Sequence, residues 1–389
     1  MNSRKIELPR DFLERRHYSE QVEFWLSERN GELILNPCLP DIRKLYIEPT
    51  TACNLCCRTC IRNSWGMPSD NMAAQTFERV LESLQGLPFL KQVVFSGFGE
   101  PLTHHHLLDM VGAVRGLGLG VTLATNGLLL DRRMSAELIR IGVERINISV
   151  DGADPNTYKD IRGARLQQVS ENIQIFNEVK TQLRSLRPSL GIEFVAMRSN
   201  ISEIKDIVKL GTQWNVSHLL VSNVLPYTEE MRSEVLYSYL PVEPYKTSGW
   251  PLKLDAWILW ATEDLPRMHW GAGRRCRFVS DHGAVVGWDG SVAPCYPLSH
   301  DYSYFAIDGR KKQVSRYCLG NVNDNPLADI WMTEEYTRFR SDVKAYHFPS
   351  CPDCDLRETC DLRELNEGCW GWNPSCADCL WSQDIIRCP

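Results

Sequence analysis

The chain has 389 residues, 43% of them hydrophobic, and a formal net charge of −6 at pH 7. This length favours two domains over one, although a single large barrel also fits, and the apolar content excludes general disorder. The acidic balance argues against the basic surface of a nucleic-acid binder, no apolar run reaches membrane-span length, and Met1 to Glu20 lacks the apolar centre of a signal peptide, so a cytoplasmic protein without nucleic-acid or membrane partners is expected.

Residues 1–42 form a short N-terminal extension. From Arg43 to about Tyr227 strand-like and helix-like segments alternate. Strands are predicted at Lys44–Glu48, Gln92–Ser96, Gly120–Ala124, Arg145–Val150, Gly191–Met197 and His218–Val224. Segments with helical spacing lie between them, as at Leu107–Leu117, Ser135–Ile141 and Glu171–Leu183. Such alternation predicts parallel strands with helical crossovers, and six units predict an incomplete barrel over residues 43–228. Residues 229–270 break the rhythm with Pro241, Pro244, Pro251, Pro266 and many aromatic side chains. This reads as a connection packed between domains, with Trp250 to Trp270 either walling the barrel mouth or simply joining the two parts. Residues 271–389 are rich in Cys, Gly, Asp and Trp, with weak periodicity. They predict a fold held by metal clusters more than by a regular core.

The fifteen cysteines are unevenly spread: five before residue 61, none from there to 275, and ten from Cys276 to Cys388. Clustered cysteines in a reducing compartment point to metal or redox chemistry. Cys38 fits a free cysteine; the two groups do not. The first strand ends at Glu48-Pro49-Thr50, and Cys53, Cys57 and Cys60 follow with the spacing Cys-x3-Cys-x2-Cys. Three thiolates on one loop can hold three irons of a [4Fe–4S] cluster and leave the fourth open to a substrate. Zinc is the competing metal, but structural zinc sites use paired ligands in a closed shell, and no second pair lies nearby. Cys56 adjoins Cys57 and is read as a bystander.

This spacing after the first strand of a βα barrel resembles the signature of the radical S-adenosylmethionine (SAM) superfamily. Later strand ends extend the resemblance. Ser96-Gly97-Phe98-Gly99-Glu100-Pro101 is similar to the Gly-Gly-Glu-Pro motif, with Gly99, Glu100 and Pro101 intact and Phe98 interrupting the usual order. Ala124-Thr125-Asn126-Gly127 and Ile148-Ser149-Val150-Asp151-Gly152 follow at the third and fourth strand ends, and Arg162 lies in Ile161-Arg162-Gly163. The resemblance implies that Glu100 and its neighbours contact the methionine end of SAM. It further implies that Asn126, Ser149 and Asp151 bind SAM and that Arg162 pairs with its carboxylate; a surface salt bridge is the plainer reading of Arg162. The activity implied is reductive cleavage of SAM to a 5′-deoxyadenosyl radical that abstracts hydrogen from a substrate. A reductant such as ferredoxin or flavodoxin is implied as partner. His104, His105 and His106 diverge around a helix start and read as solvated or capping.

Cys276, Cys295, Cys351, Cys354 and Cys360 resemble the SPASM domain, which holds two auxiliary [4Fe–4S] clusters. The usual fourth member of the last run is missing, because position 364 is Glu and the next cysteine is Cys369. By resemblance, one cluster takes Cys276, Cys295 and two later cysteines such as Cys369 and Cys388. The other takes Cys351, Cys354, Cys360 and either Cys376 or Cys379. Cys318 lies outside the pattern, and zinc ribbons remain the competing reading of the Cys351/Cys354 and Cys376/Cys379 pairs.

The fold expected is therefore α/β: a partial (β/α)6 barrel of the radical SAM type followed by a cysteine-rich, SPASM-like iron–sulfur domain. Cys57 to Trp65 and Cys376 to Pro389 resemble the radical SAM maturases associated with tungsten-containing oxidoreductases. That implies a tungsten oxidoreductase with its pterin cofactor as partner. The alternatives are a peptide or protein maturase, for which the short N-terminal region lacks a recognition domain, and a dehydrogenase or epimerase of a small polar metabolite. A non-catalytic electron-transfer protein would explain the cysteines but not the strand-end motifs.

Overall fold

The computed structural model describes residues 8–11, 24–29, 32–37, 39–237, 262–264, 266, 274–306 and 308–388. Cys38 and most of the Trp250 to Trp270 stretch lie outside the described residues. The described strands are β1 (Phe24–Arg29), β2 (Glu32–Pro37), β3 (Lys44–Ile47), β4 (Gln92–Phe95), β5 (Gly120–Thr125), β6 (Arg145–Ser149), β7 (Ser189–Ala196), β8 (Val216–Asn223) and β9 (Thr262–Asp264), then β10 (Gly283–Val286), β11 (Val292–Ala293), β12 (Tyr302–Phe305) and β13 (Lys311–Val314). The helices are α1 (Ala74–Leu84), α2 (Leu107–Gly116), α3 (Arg132–Ile141), α4 (Pro155–Arg162), α5 (Leu166–Gln182), α6 (Ile204–Gln213), α7 (Arg277–Ser280), α8 (Leu327–Met332) and α9 (Glu334–Ala345).

β3 to β8 lie side by side in chain order, all parallel, with the helices as crossovers. Their side chains alternate with period two. Leu45, Ile47, Val93, Phe95, Leu123, Ile146 and Ile148 form one core with Val80, Val111, Leu138 and Ile173 of the helices. The residues between them, including Lys44, Tyr46, Gln92, Val94, Thr122 and Asn147, face the lumen. Caps fix where the helices begin and end. Asp131 accepts from Met134 N at the start of α3, and Asp154 accepts from Asn156 N and Thr157 N at the start of α4. Pro155 opens α4 and Gly163, at φ +72°, ends it, which places Arg162 in its last turn.

The sheet does not stop at six strands. β9, from the proline-rich connection, pairs parallel with β8. β10, from the cysteine-rich region, pairs parallel with β3, Gly283 opposite Lys44 and Val286 opposite Ile47, and β11 lies antiparallel beyond it. The C-terminal region thus covers an edge that β3 would otherwise expose. It also holds more regular structure than its weak periodicity predicts: Tyr302, Tyr304, Val314, Phe339 and Val343 share a core with Leu380 and Ile385, and with Ile61 and Leu225 of the barrel loops.

Candidate active site

The loop after β3 is tightly held. Thr51 N donates to Asp70 O at 2.9 Å, Glu100 N to Ala52 O at 2.8 Å, and Arg58 N to Ile161 O at 2.8 Å. Cys53, Cys57 and Cys60 consequently line one cavity of about 280 Å³ at the C-terminal ends of the strands, the face where βα barrels carry their chemistry. Cys56 is exposed and does not line it. Burial raises the Cys53 thiol and pushes Cys60 up to about 11. Such thiols ionise when a metal replaces the proton. Among the described residues no three Cys, His, Asp or Glu side chains close on a single-ion site. Cys57 is buried and Cys53 and Cys60 are half-buried at the cavity wall.

The strand-end motifs surround the same cavity, which Gly99, Glu100, Asn126, Ser149 and Arg162 all line. Gly99 is where loop and strand end meet, because a Cβ there would stand 2.2 Å from Thr50 O. Glu100 is buried and braces its neighbours. Its Oε1 accepts from Thr125 Oγ1 at 2.7 Å and Leu102 N at 3.0 Å, and its Oε2 from Asn126 N at 2.7 Å. Burial still pushes this carboxyl up. Asn126 Nδ2 donates to Asn54 Oδ1 at 2.7 Å, tying the third strand end to the cysteine loop. Pro101 is buried and Asp151 is fully buried; neither lines the cavity. Asp151 Oδ2 lies 2.6 Å from Arg162 Nε, and Asp151 Oδ1 accepts from Val195 N. Arg162 therefore reaches the cavity from a buried anchor, and its Nη1 lies 3.9 Å from Cys57 Sγ.

Three cavity or support residues escape the motif reading. Glu193 of β7 lines the cavity, and burial pushes its carboxyl up to about 7. A charged residue inside the apolar run Gly191–Met197 is the signal that could have found it. Glu48 and His300 are both buried, with His300 Nε2 2.7 Å from Glu48 Oε2, while Phe98 N donates to Glu48 Oε1. No local pattern links two residues so far apart in the chain. Of the three histidines expected to be solvated or capping, His104 is not solvated. It is buried, its Nε2 lies 3.1 Å from Met72 O, and its Nδ1 accepts from His106 N, whereas His105 and His106 are exposed.

The fourteen described cysteines are all free, and the C-terminal ones fall into groups. Burial raises Cys276 to about 12, lifts Cys295 and Cys376 well above the ordinary thiol range, and raises Cys379. Each of Cys276, Cys295 and Cys376 also feels the charge of others in this group of four. Cys351 is raised to about 11 by burial and feels Cys369, with Cys354 and Cys360 on the adjoining 3₁₀ turns. Cys318 is exposed. Cys388 lines the barrel cavity together with Trp381, whose Nε1 donates to Cys388 Sγ at 3.2 Å.

Residues 47–210 match the radical SAM superfamily, and residues 276–355 match the SPASM iron–sulfur cluster-binding domain. The chain is 35% identical, over 90% of its length and 97% of the relative's, to the tungsten-containing aldehyde ferredoxin oxidoreductase cofactor-modifying protein of Pyrococcus furiosus. The chain belongs to the radical SAM superfamily. As a radical SAM enzyme with a SPASM domain it uses SAM and [4Fe–4S] clusters and needs a reductant. It is also 23% identical over 82% of its length to the AdoMet-dependent heme synthase of Oleidesulfovibrio alaskensis, which it covers to 82%. The same fold appears in Streptococcus suis SuiB bound to S-adenosylmethionine (TM-score 0.58, 17% identity, 84% of this chain and 73% of that one) and in anSMEcpe with bound AdoMet and the Cp18Cys peptide (0.56, 18%, 84% and 89%). Among the described residues no helix of this radical SAM enzyme is long and apolar enough to cross a membrane.

Proposed function

We propose that this radical SAM enzyme matures the cofactor of a tungsten-containing oxidoreductase. The observation that carries the reading is the 35% identity to the P. furiosus cofactor-modifying protein, which spans 90% of this chain and so extends well beyond the barrel. We assign the SAM-binding cluster to Cys53, Cys57 and Cys60. We assign one auxiliary cluster to Cys276, Cys295, Cys376 and Cys379, and the other to Cys351, Cys354, Cys360 and Cys369. The influence of Cys276, Cys376 and Cys379 on Cys295, and of Cys369 on Cys351, supports this partition, which moves Cys369 and the Cys376/Cys379 pair from their sequence-based places and leaves Cys388 out. Ferredoxin or flavodoxin serves as reductant, and the compartment is the cytoplasm, where exposed thiolates escape oxidation.

A [4Fe–4S] cluster on the three loop thiolates supplies, when bound, the electron that cleaves SAM. The chain's own residues do the positioning. Asp151 fixes Arg162 so that its guanidinium offers a planar fork to the SAM carboxylate. Ser149 lines the cavity, and Glu100 locks the strand ends that shape it. Tyr227 and Trp381 help enclose the space and keep water from the radical.

The test is co-expression with a tungsten oxidoreductase apoprotein, with the Cys53/Cys57/Cys60 triple Ala variant as control. Oxidoreductase activity should depend on the intact chain; equal activity with both forms contradicts the reading. Deuterium transfer into 5′-deoxyadenosine from a labelled peptide would instead favour peptide maturation.

A further inference from the structure

The C-terminal segment is built into the barrel. Ile385 O accepts from both Asn223 N and Asn223 Nδ2 at the end of β8, and Arg387 N donates to Ser222 Oγ at 2.9 Å. This anchors Cys388 where it lines two cavities at once: the SAM-side cavity of about 280 Å³ and a second of about 240 Å³ deeper in the lumen. Cys388, Cys276 and Cys295 pack on the same small apolar cluster around Tyr46 and Tyr296. The group of Cys276, Cys295, Cys376 and Cys379 already has the four thiolates a cluster needs. Cys388 is then a surplus thiol facing a radical cavity, beside an acid, since Glu193 lines the same cavity and exerts its charge on Cys388. The Oε1 atom of Glu193 is buried without a hydrogen-bond partner.

We propose that Cys388 is a hydrogen-atom donor to the carbon radical formed in this cavity. The inference rests on the radical SAM reading and specifies the reaction class of that same site. The S–H bond of Cys388 breaks, a C–H bond forms on the substrate radical, and a thiyl radical remains. One electron and one proton restore the thiol. The electron comes from the low-potential reductant that already drives SAM cleavage, and the proton from the Glu193 carboxyl. The substrate loses one hydrogen atom and regains one, so its product is an isomer: a rearranged, cyclised or inverted form rather than a dehydrogenated one. The thiol is half-buried where it lines the cavity. Trp381, donating to the sulfur, holds it in position.

The experiment uses reconstituted full-length enzyme with SAM and dithionite in D2O, without added substrate. The readout is the deuterium fraction of the 5′-deoxyadenosine formed. The wild type should carry deuterium from the exchanged thiol, and Cys388→Ala should lower that fraction several-fold. An equal fraction in both, or none in the wild type, overturns the proposal. So does a loss of about four irons per chain in Cys388→Ser, which would make the residue a cluster ligand. Iodoacetamide labelling of the same protein provides an independent measurement. SAM should protect Cys388 and leave the exposed Cys318 unaffected; equal labelling of Cys388 with and without SAM contradicts its place in the cavity. If no 5′-deoxyadenosine forms at all, the radical reading fails, while labelling still judges where Cys388 lies.

Discussion

Arg162 Nε lies 2.6 Å from Asp151 Oδ2, and the Asp151 side chain is fully buried while Arg162 keeps 12% exposure. The two residues that the sequence offers as separate SAM contacts are thus one unit, with Asp151 behind and Arg162 in front. Breaking a buried pair by removing one partner costs roughly 3–5 kcal/mol, because the other charge is left uncompensated. Asp151→Asn should therefore lower the melting temperature and also weaken SAM binding, although Asp151 does not touch the cavity. Arg162→Lys should weaken SAM binding on the order of tenfold through loss of the planar fork. Equilibrium binding of SAM to both variants checks this; unchanged affinity in both would detach the pair from the cofactor.

Gly99→Ala tests the junction of the cysteine loop with the second strand end. The new Cβ would stand 2.2 Å from Thr50 O and 2.7 Å from Ala52 O, both backbone atoms. The loop must shift, at a cost of about 1–3 kcal/mol. Iron retention at the first site and SAM cleavage should fall together. A variant with wild-type iron and wild-type cleavage would show that the loop yields freely.

Glu193 makes stability depend on pH. Burial raises its carboxyl from 4.5 to about 7 in the folded chain. Between those values the folded form holds a proton that the unfolded form has released, so this group's contribution to stability falls as pH rises from about 4.5 to about 7, then levels. Glu193→Gln removes the penalty. The variant should melt above the wild type at pH 8, by an amount on the order of 1–3 kcal/mol, with the difference gone near pH 5. Thermal melts at the two pH values decide it.

The auxiliary groups make a prediction in iron counts. Three [4Fe–4S] clusters amount to about twelve irons per chain. Cys376→Ala and Cys369→Ala should each remove about four, from different clusters. Loss of both clusters, or of neither, would contradict the partition.

The barrel was largely legible because its strands are short apolar runs between helix-length segments. Predicted and observed strands agree within two residues at each end, as at Lys44–Ile47 and Gln92–Phe95. β10 was not legible, because its parallel partner β3 lies more than two hundred positions earlier. The same separation hides the Glu48–His300 contact and the seating of Ile385 on Asn223. The cysteine groups could be seen in the sequence, but their partition could not. Spacing fixes which thiols are near in the chain, whereas Cys376 and Cys379 reach the apolar cluster of Tyr302 and Leu298, which Cys276 and Cys295 also border, only through the packing of the C-terminal segment.

Radical chemistry in this chain depends on whether Cys53, Cys57 and Cys60 together support reductive cleavage of SAM. The measurement is 5′-deoxyadenosine formed from SAM and dithionite by the anaerobically reconstituted chain and by its Cys53/Cys57/Cys60 triple Ala variant, with iron counted in both. The wild type should form 5′-deoxyadenosine, and the variant should form none while retaining about eight irons per chain on the C-terminal cysteines. Cleavage by the triple variant at the wild-type rate would contradict the account.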